Sequence, residues 1–276
     1  KSYAKVNLSL NIVGKLRSKK HKIESLVSFL DFYDLIYLRP ISFNKHKVYF
    51  TGKFARGINK KNTISKLLHI LDQKKLLKNQ KFEIKIKKNI PNQSGMGGGS
   101  MNAASLINYF YNNKIIKLNK KELINLANLI GSDVILGINP KNTILSSSGK
   151  LTKFKKKLGL YVLIVKPNFG CSTKFIYSKV RCYSKAKYNN PKQSLLSKKN
   201  IFNSSNALEK IVYKEYPKLI RIKLFLLKLS KVKFVRMSGS GSSILAYFYS
   251  KKATENARKE FKKKFNNYWC ITSKTI

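Results

Sequence analysis

The sequence predicts an α+β fold, with strands and helices mixed rather than strictly alternating. Three observations carry this. Tyr3 to Leu10 alternates, with Ala4, Val6, Leu8 and Leu10 on one face and Lys5, Asn7 and Ser9 on the other. The stretch after Ser100 repeats apolar residues at three and four, the spacing of a helix that buries Ala103, Ala104, Ile107 and Tyr111. A second half opens on the apolar run Leu160-Tyr161-Val162-Leu163-Ile164-Val165 and continues into helices, a hairpin and a closing helix.

Taken in order, the opening strand is followed by strands through Asp34–Leu38 and Lys47–Phe50. Asn62 has the chemistry of an N-cap for a helix whose inner side is Ile64, Leu67, Leu68 and Leu71. A strand over Glu83–Ile90 leads into the glycine-dense stretch, and a helix over Lys121–Ile130 stops at Gly131. The polar stretch Ile138–Asn142 and the strand pair after it set an expected boundary near residue 150, giving domains 1–150 and 151–276. Beyond it, Ser178–Ser197 reads as a basic loop, and helices are expected over 205–214 and 217–229. A hairpin joins strands 232–236 and 244–249, a helix carries the stripe Ala253, Ala257, Phe261, and a last strand lies near Trp269.

Composition excludes several classes of function. Hydrophobic residues make up 43%, with 15 Tyr and 16 Phe, enough for a packed core rather than a disordered chain. No run of roughly 18 apolar residues is present to span a membrane. The first residues enter a strand pattern directly, so no targeting peptide is expected, and a start without Met reads as trimmed or incomplete. Cys171, Cys182 and Cys270 are too scattered for a disulfide framework or metal site, which fits a reducing cytoplasm. The net charge of +47 would ordinarily point to nucleic acid. The lysines, however, are spread along the chain together with many Asn and Ile, a pattern that compositional drift explains. No nucleic-acid partner is therefore expected, while the same field attracts a small anionic substrate.

The chemistry concentrates in a few places. Gly95-Met96-Gly97-Gly98-Gly99-Ser100 sits where a strand hands over to a helix. Backbone N–H groups at such a turn, with the positive end of the helix dipole, suit a phosphate; the same glycines also fit a flexible connector. The stretch is neither a Walker A loop nor a dinucleotide fingerprint. Asp133, in Gly131-Ser132-Asp133-Val134, is the only acidic residue between Glu122 and Glu209. Just past a helix end it is placed either as a general base or as a turn-capping carboxylate. Lys5 lies mid-strand beside Asn7, where a solvated lysine is the ordinary reading. Met237-Ser238-Gly239-Ser240-Gly241 is, alone, a hairpin turn.

Together these segments resemble the GHMP kinases, over nearly the full chain. The loop is similar to Gly-Leu-Gly-Gly-Gly-Ser-Ser-Asn-Ala-Ala in the branch acting on a cytidine-diphosphate-linked methylerythritol, with Met96 for leucine and Met101 for serine. Tyr3-Ala4-Lys5-Val6-Asn7-Leu8 resembles Pro-Ala-Lys-Val/Leu-Asn-Leu, Ser132-Asp133-Val134 resembles Ala-Asp-Val, and the Met-Ser-Gly-Ser-Gly motif is nearly identical. The resemblance implies a ribosomal-protein-S5-domain-2-like N-terminal domain and a smaller α+β C-terminal domain. It implies ATP-dependent phosphorylation of the 2-hydroxyl of 4-diphosphocytidyl-2-C-methyl-D-erythritol, a step toward isoprenoid precursors, with Mg²⁺ brought by ATP and no permanent protein metal site.

By the same resemblance Asp133 is the catalytic base and Lys5 its partner, whose charge helps neutralise the transferring phosphoryl group. Gly95, Gly97, Gly98, Gly99 and Ser100 hold the nucleotide phosphates, and Asn62 and Lys88 lie near the adenosine. Asn7 orients the acceptor, His21 hydrogen-bonds the cytosine, and Tyr177, with Thr173, belongs to the cytosine-facing segment. Gly239 and Ser240 approach the acceptor's phosphates. In Lys19-Lys20-His21 the family's stacking tyrosine is replaced by Lys20. The enzyme is expected to be a cytoplasmic monomer or weak dimer. Two rival readings stay open: a sister kinase of the homoserine or mevalonate type, and a non-catalytic RNA-binding protein on the S5-like scaffold. His46 and His69, expected on an exposed strand and a helix, receive no role.

Overall fold

A computed structural model describes residues 1–16 and 20–276; Lys19 of the basic triplet lies outside them. By its internal contacts the chain forms two compact units that are each discontinuous in sequence. The first comprises Lys1–Lys5, Phe32–Asn92 and Gly97–Pro140; the second comprises Val6–Asp31, Gln93–Met96 and Lys141–Ile276.

Two long strands, β1 (Ser2–Lys15) and β2 (His21–Ile41), pair with one another and run through both units. In the first unit the end of β2 pairs antiparallel with β4 (Lys81–Lys87), and β3 (Lys47–Thr51) lies parallel to β4. Strict alternation gives this sheet one apolar face: Ile36, Leu38, Val48, Phe50, Ile84 and Ile86 all join the core. Against it pack α1 (Thr63–Gln73), α2 (Gly98–Asn112) and α3 (Lys120–Ile130), followed by the short α4 (Val134–Gly137).

Asn62 caps α1 as its residue type demands. Its Oδ1 accepts from the N–H groups of Ile64 and Ser65, and Ser65 closes the reciprocal bond to the Asn62 N–H. The inner face of α2 holds Ala103, Ala104 and Ile107, but Tyr111 is exposed. Phe110 takes the inward place in the last turn, its ring 5.1 Å from that of Phe82. His46 departs more clearly from its expected exposed strand. It precedes β3, its side chain is largely buried, and Nδ1 accepts the Phe82 N–H at 3.0 Å while Nε2 lies 3.3 Å from Asp72.

In the second unit, Ser25–Val27 of β2 pairs with β5 (Asn142–Leu145), which pairs with β6 (Leu151–Phe154). A separate antiparallel sheet runs in the order β10, β7, β9, β8. These are β7 (Tyr161–Lys166), β8 (Phe234–Met237), β9 (Ile244–Phe248) and β10 (Trp269–Lys274). The helices here are α5 (Thr173–Ser178), α6 (Lys198–Phe202), α7 (Glu209–Glu215), α8 (Lys218–Leu227) and α9 (Lys251–Lys264). Val212, Ile222, Leu226, Ala257 and Phe261 from α7, α8 and α9 join Leu163, Val165 and Ala246 in one core.

The helix expected over 205–214 begins only at Glu209. The residues before it are claimed by β1: the Leu10 N–H donates to the Ser205 carbonyl, and the Ala207 N–H donates to the Leu10 carbonyl. Among the described residues no helix is long and apolar enough to cross a membrane.

Candidate active site

The first unit gathers the residues expected to transfer phosphate. Lys5 lies on a strand face that alternation reads as solvated, yet Lys5, Asn7 and Ser9 are all buried. The reason is a carboxylate. Lys5 Nζ lies 3.1 Å from Asp133 Oδ2, with the lysine side chain 6% exposed and the aspartate 36%. Asp133 precedes α4 but makes no side-chain cap bond to it, so the pair with Lys5, rather than a helix cap, accounts for its position. A carboxylate that is part open to solvent and held by one lysine is able to take a proton from a hydroxyl.

The glycine loop runs beside this pair. Gly97 is left-handed, with φ +69°, and starts α2 without any side-chain cap. A Cβ there would sit 2.9 Å from Lys5 Cγ and 3.0 Å from Lys5 Cε. Glycine is thus required twice over, by the backbone angle and by the lysine that crosses it. The first turn, Gly98-Gly99-Ser100, carries no acidic residue. Its backbone N–H groups and the positive helix end make a site for an anion. A Cβ on Gly98 would meet Ile90 Cγ2 at 3.1 Å and Lys88 Nζ at 3.3 Å. The Lys88 ammonium therefore reaches the helix start, where it forms a buried ion pair with Asp34. Asp34 also accepts the N–H groups of Asn89 and Ile90, fixing the chain just before the loop. Thr63 closes the other side by donating to the Gly99 carbonyl at 2.9 Å.

The second unit gathers the expected acceptor residues. Asn7 Nδ2 donates to Ser25 Oγ at 2.8 Å, and its N–H donates to Ser238 Oγ at 3.3 Å. Ser238 Oγ in turn donates to the Gly95 carbonyl at 2.9 Å. A Cβ on Gly95, which has φ +72°, would fall 2.0 Å from the Ser238 carbonyl oxygen, so only glycine lets these backbones meet. The Thr173 and Ser240 hydroxyls are 2.9 Å apart. Four residues along α5 from Thr173, and so on the same face, Tyr177 brings its ring centroid to 5.2 Å from that of His21, inclined at 45°.

The His21 ring is partly buried, and its Nε2 is buried without a hydrogen-bond partner among the described residues. Burial, helped by the nearby Lys15 charge, lowers the His21 pKa below its ordinary 6.5. The ring is neutral at pH 7, with one nitrogen to donate and one to accept. Lys20, where the resemblance expects a second ring, is exposed.

Two predicted nucleotide residues thus have visible structural work. Asn62 is occupied in capping α1, and Lys88 is paired with Asp34. Sequence reading passed over Asp34, a carboxylate in mid-strand that only the fold brings to Lys88. It also passed over Asn206 and Glu209, which hold the Met237 turn. The rarity of acidic residues was the one signal that could have found Asp34 and Glu209. Among the described residues, no group of three or more His, Cys, Asp or Glu side chains is gathered to hold a metal ion.

A lysine–aspartate pair beside an uncapped, glycine-started helix, on a two-unit α+β scaffold, is the arrangement of a small-molecule kinase. Family models agree: the one for the GHMP kinases N terminal domain matches residues 62–147 and the one for the GHMP kinases C terminal matches 191–267. The chain belongs to the GHMP kinase family. It is 57% identical to the 4-diphosphocytidyl-2-C-methyl-D-erythritol kinase of Pelagibacter ubique, across 100% of this chain and 98% of that protein. Its fold is similar to the crystal structure of a 4-(cytidine 5'-diphospho)-2C-methyl-D-erythritol kinase, with TM-score 0.78 at 20% identity over 99% of this chain and 98% of that one. It is also similar to a homoserine kinase from Cytophaga hutchinsonii, with TM-score 0.68 at 18% identity over 100% and 95%.

Proposed function

We propose that this protein is an ATP-dependent kinase that phosphorylates the 2-hydroxyl of 4-diphosphocytidyl-2-C-methyl-D-erythritol, in the methylerythritol phosphate route to isoprenoid precursors. The carrying observation is the Lys5–Asp133 pair at 3.1 Å beside left-handed Gly97. The 57% identity to a kinase of that substrate selects the acceptor among those the fold serves.

In this reading Asp133 accepts the proton of the acceptor hydroxyl as the hydroxyl oxygen bonds to the γ-phosphorus. The bond from that phosphorus to the β,γ-bridging oxygen breaks and ADP leaves, while Lys5 offsets the charge on the transferring group. The N–H groups of Gly97, Gly98, Gly99 and Ser100 hold phosphate oxygens, supported at the loop entry by Gly95. Lys88 and Asn62 border the adenosine. Mg²⁺ would come with ATP and would neutralise charge on the phosphates, the Ser100 hydroxyl being the protein oxygen that would hold it. On the acceptor side His21 reads the cytosine edge through Nε2 and Tyr177 covers its face. Asn7 and Thr173 orient the acceptor, and Gly239 and Ser240 meet its phosphates. The orphaned, buried Nε2 supports this assignment, since a buried polar atom without a partner costs about 1–3 kcal/mol that a base would recover.

The reading takes 1–150 as the N-terminal and 151–276 as the C-terminal GHMP kinase domain, which the matched ranges 62–147 and 191–267 support. It further takes the enzyme to be a cytoplasmic monomer or weak dimer with a small anionic substrate and no nucleic-acid partner. The test is ADP release in a coupled assay, offering the cytidine substrate, homoserine and mevalonate in parallel. The cytidine substrate is expected to turn over at least about a hundredfold more efficiently, since a site built to hydrogen-bond one group rejects acceptors that lack it. Equal or faster turnover of homoserine or mevalonate would replace this reading with a sister kinase.

A further inference from the structure

We propose that Asn206 is a positioning residue for the acceptor, acting through the turn that carries Gly239 and Ser240. Asn206 is buried, and its side-chain hydrogen-bonding groups are engaged. Nδ2 donates to the carbonyls of Met237 at 2.9 Å and Gly239 at 2.7 Å, and Oδ1 accepts the Leu208 N–H at 3.0 Å. Two donors and one acceptor at this reach require an asparagine; glutamine is a methylene too long, and aspartate has no donors.

The consequence for the turn follows from peptide geometry. Gly239 and Gly241 have φ of +54° and +83°, angles that glycine takes without strain because it has no Cβ, so side-chain sterics do not hold their peptide planes and hydrogen bonds must. Pinning the Gly239 carbonyl to Asn206 fixes the planar peptide that joins it to Ser240, and directs the Ser240 N–H to the opposite side. Met237 is gripped at both ends, since its N–H donates to Glu209 Oε1 at 2.7 Å. The same short segment is tied to β1 through the Ser205 carbonyl and the Ala207 N–H, both bonded to Leu10. Three residues earlier on β1, Asn7 touches Ser238 of the turn. Asn206 therefore sets the relation between two acceptor-binding groups, the Asn7 strand and the Gly239–Ser240 turn, without touching the acceptor.

This inference rests on the acceptor reading of Gly239 and Ser240. Asn206→Asp keeps the side-chain shape but sets a carboxylate oxygen against two carbonyls. We expect kcat/KM for the acceptor to fall about 30-fold or more, because misplacements near 1 Å cost on the order of 10²-fold. KM for ATP should change several-fold less than that for the acceptor, since Gly95 at the loop entry touches this turn through Ser238 while Gly97 to Ser100 start α2 beside Lys5 and Lys88. Hydrogen–deuterium exchange over residues 237–243 should accelerate. Asn206→Ser, which retains a shorter donor and removes the repulsion, should recover part of the loss. A folded Asn206→Asp enzyme with unchanged acceptor kinetics, or with ATP and acceptor constants falling together, would overturn the proposal. If wild type prefers another acceptor, the ratio is read on that one, and a specific loss upholds the positioning role while the substrate assignment fails. If wild type transfers no phosphate, or Asn206→Asp does not fold, exchange over 237–243 in Asn206→Ser decides: faster exchange confined to the turn upholds the role, and unchanged exchange overturns it.

Discussion

The candidate groups of the two units, each taken by itself, face different physical problems. In the first unit the charged groups are spent on each other: Lys5 with Asp133, and Lys88 with Asp34. What is offered outward is backbone, the N–H groups at the start of α2. In the second unit one ring stands differently: His21, partly buried beside Tyr177, keeps its Nε2 without a hydrogen-bond partner among the described residues. In the proposed reading the paired, glycine-lined group of the first unit is preorganised for phosphoryl transfer whatever the acceptor. In that reading the open His21 nitrogen of the second unit is completed by the acceptor's base, and specificity is expected to reside there.

The largest effect should come from breaking the first half. Asp133→Asn removes the proton acceptor but keeps the shape, and kcat should fall roughly 10²–10⁴-fold with ATP affinity retained by calorimetry. Activity within about threefold of the parent would return Asp133 to a structural ion pair. Next is the loop. Gly98→Val would press on Ile90 Cγ2 and Lys88 Nζ, at 3.1 and 3.3 Å even from a bare Cβ. ATP affinity should weaken about tenfold or more, roughly 1.4 kcal/mol, with the fold intact by circular dichroism. Unchanged affinity would leave the loop a connector.

That first half was legible because its determinants are local. The glycine run at a strand–helix junction and the asparagine cap at Asn62 sit in a few contiguous residues, whereas Asp133 by itself fits a base or a turn cap and takes its proposed role from the resemblance. The long β2, with Asp34 in its middle, was read only as a short strand, since a buried carboxylate in a strand makes sense only beside Lys88, 54 positions away. The grip of Asn206 on Met237 and Gly239 spans 31 and 33 positions and leaves no periodic trace. The burial of Lys5 had no signal in alternation either, because alternation reports a polar face but not whether a partner covers it.

Smaller effects probe the second half. His21→Ala should raise KM for the cytidine substrate about tenfold, the loss of one buried hydrogen bond, with little change in KM for ATP. The wild-type pH profile should agree in sign. With the His21 pKa lowered by burial and by Lys15, acceptor KM should be flat above pH 6.5 and rise only at lower pH, as the ring gains a proton and loses its acceptor nitrogen. A KM that already rises above pH 7 would contradict a buried, neutral ring. The smallest shift is expected from Lys20→Tyr, which restores a second ring beside the base and should lower acceptor KM a few-fold, within the roughly 1–3 kcal/mol of a base–aromatic stack. No gain would mean that the exposed position of Lys20 is too far out to cover the base.

The most direct measurement is a single turnover with ATP, the cytidine substrate, homoserine and mevalonate in one tube, followed by ³¹P NMR. The account predicts that the γ-phosphoryl group appears as one new phosphomonoester on the cytidine substrate, whose two diphosphate resonances persist. Inorganic phosphate alone, or a monoester on homoserine or mevalonate, would contradict it.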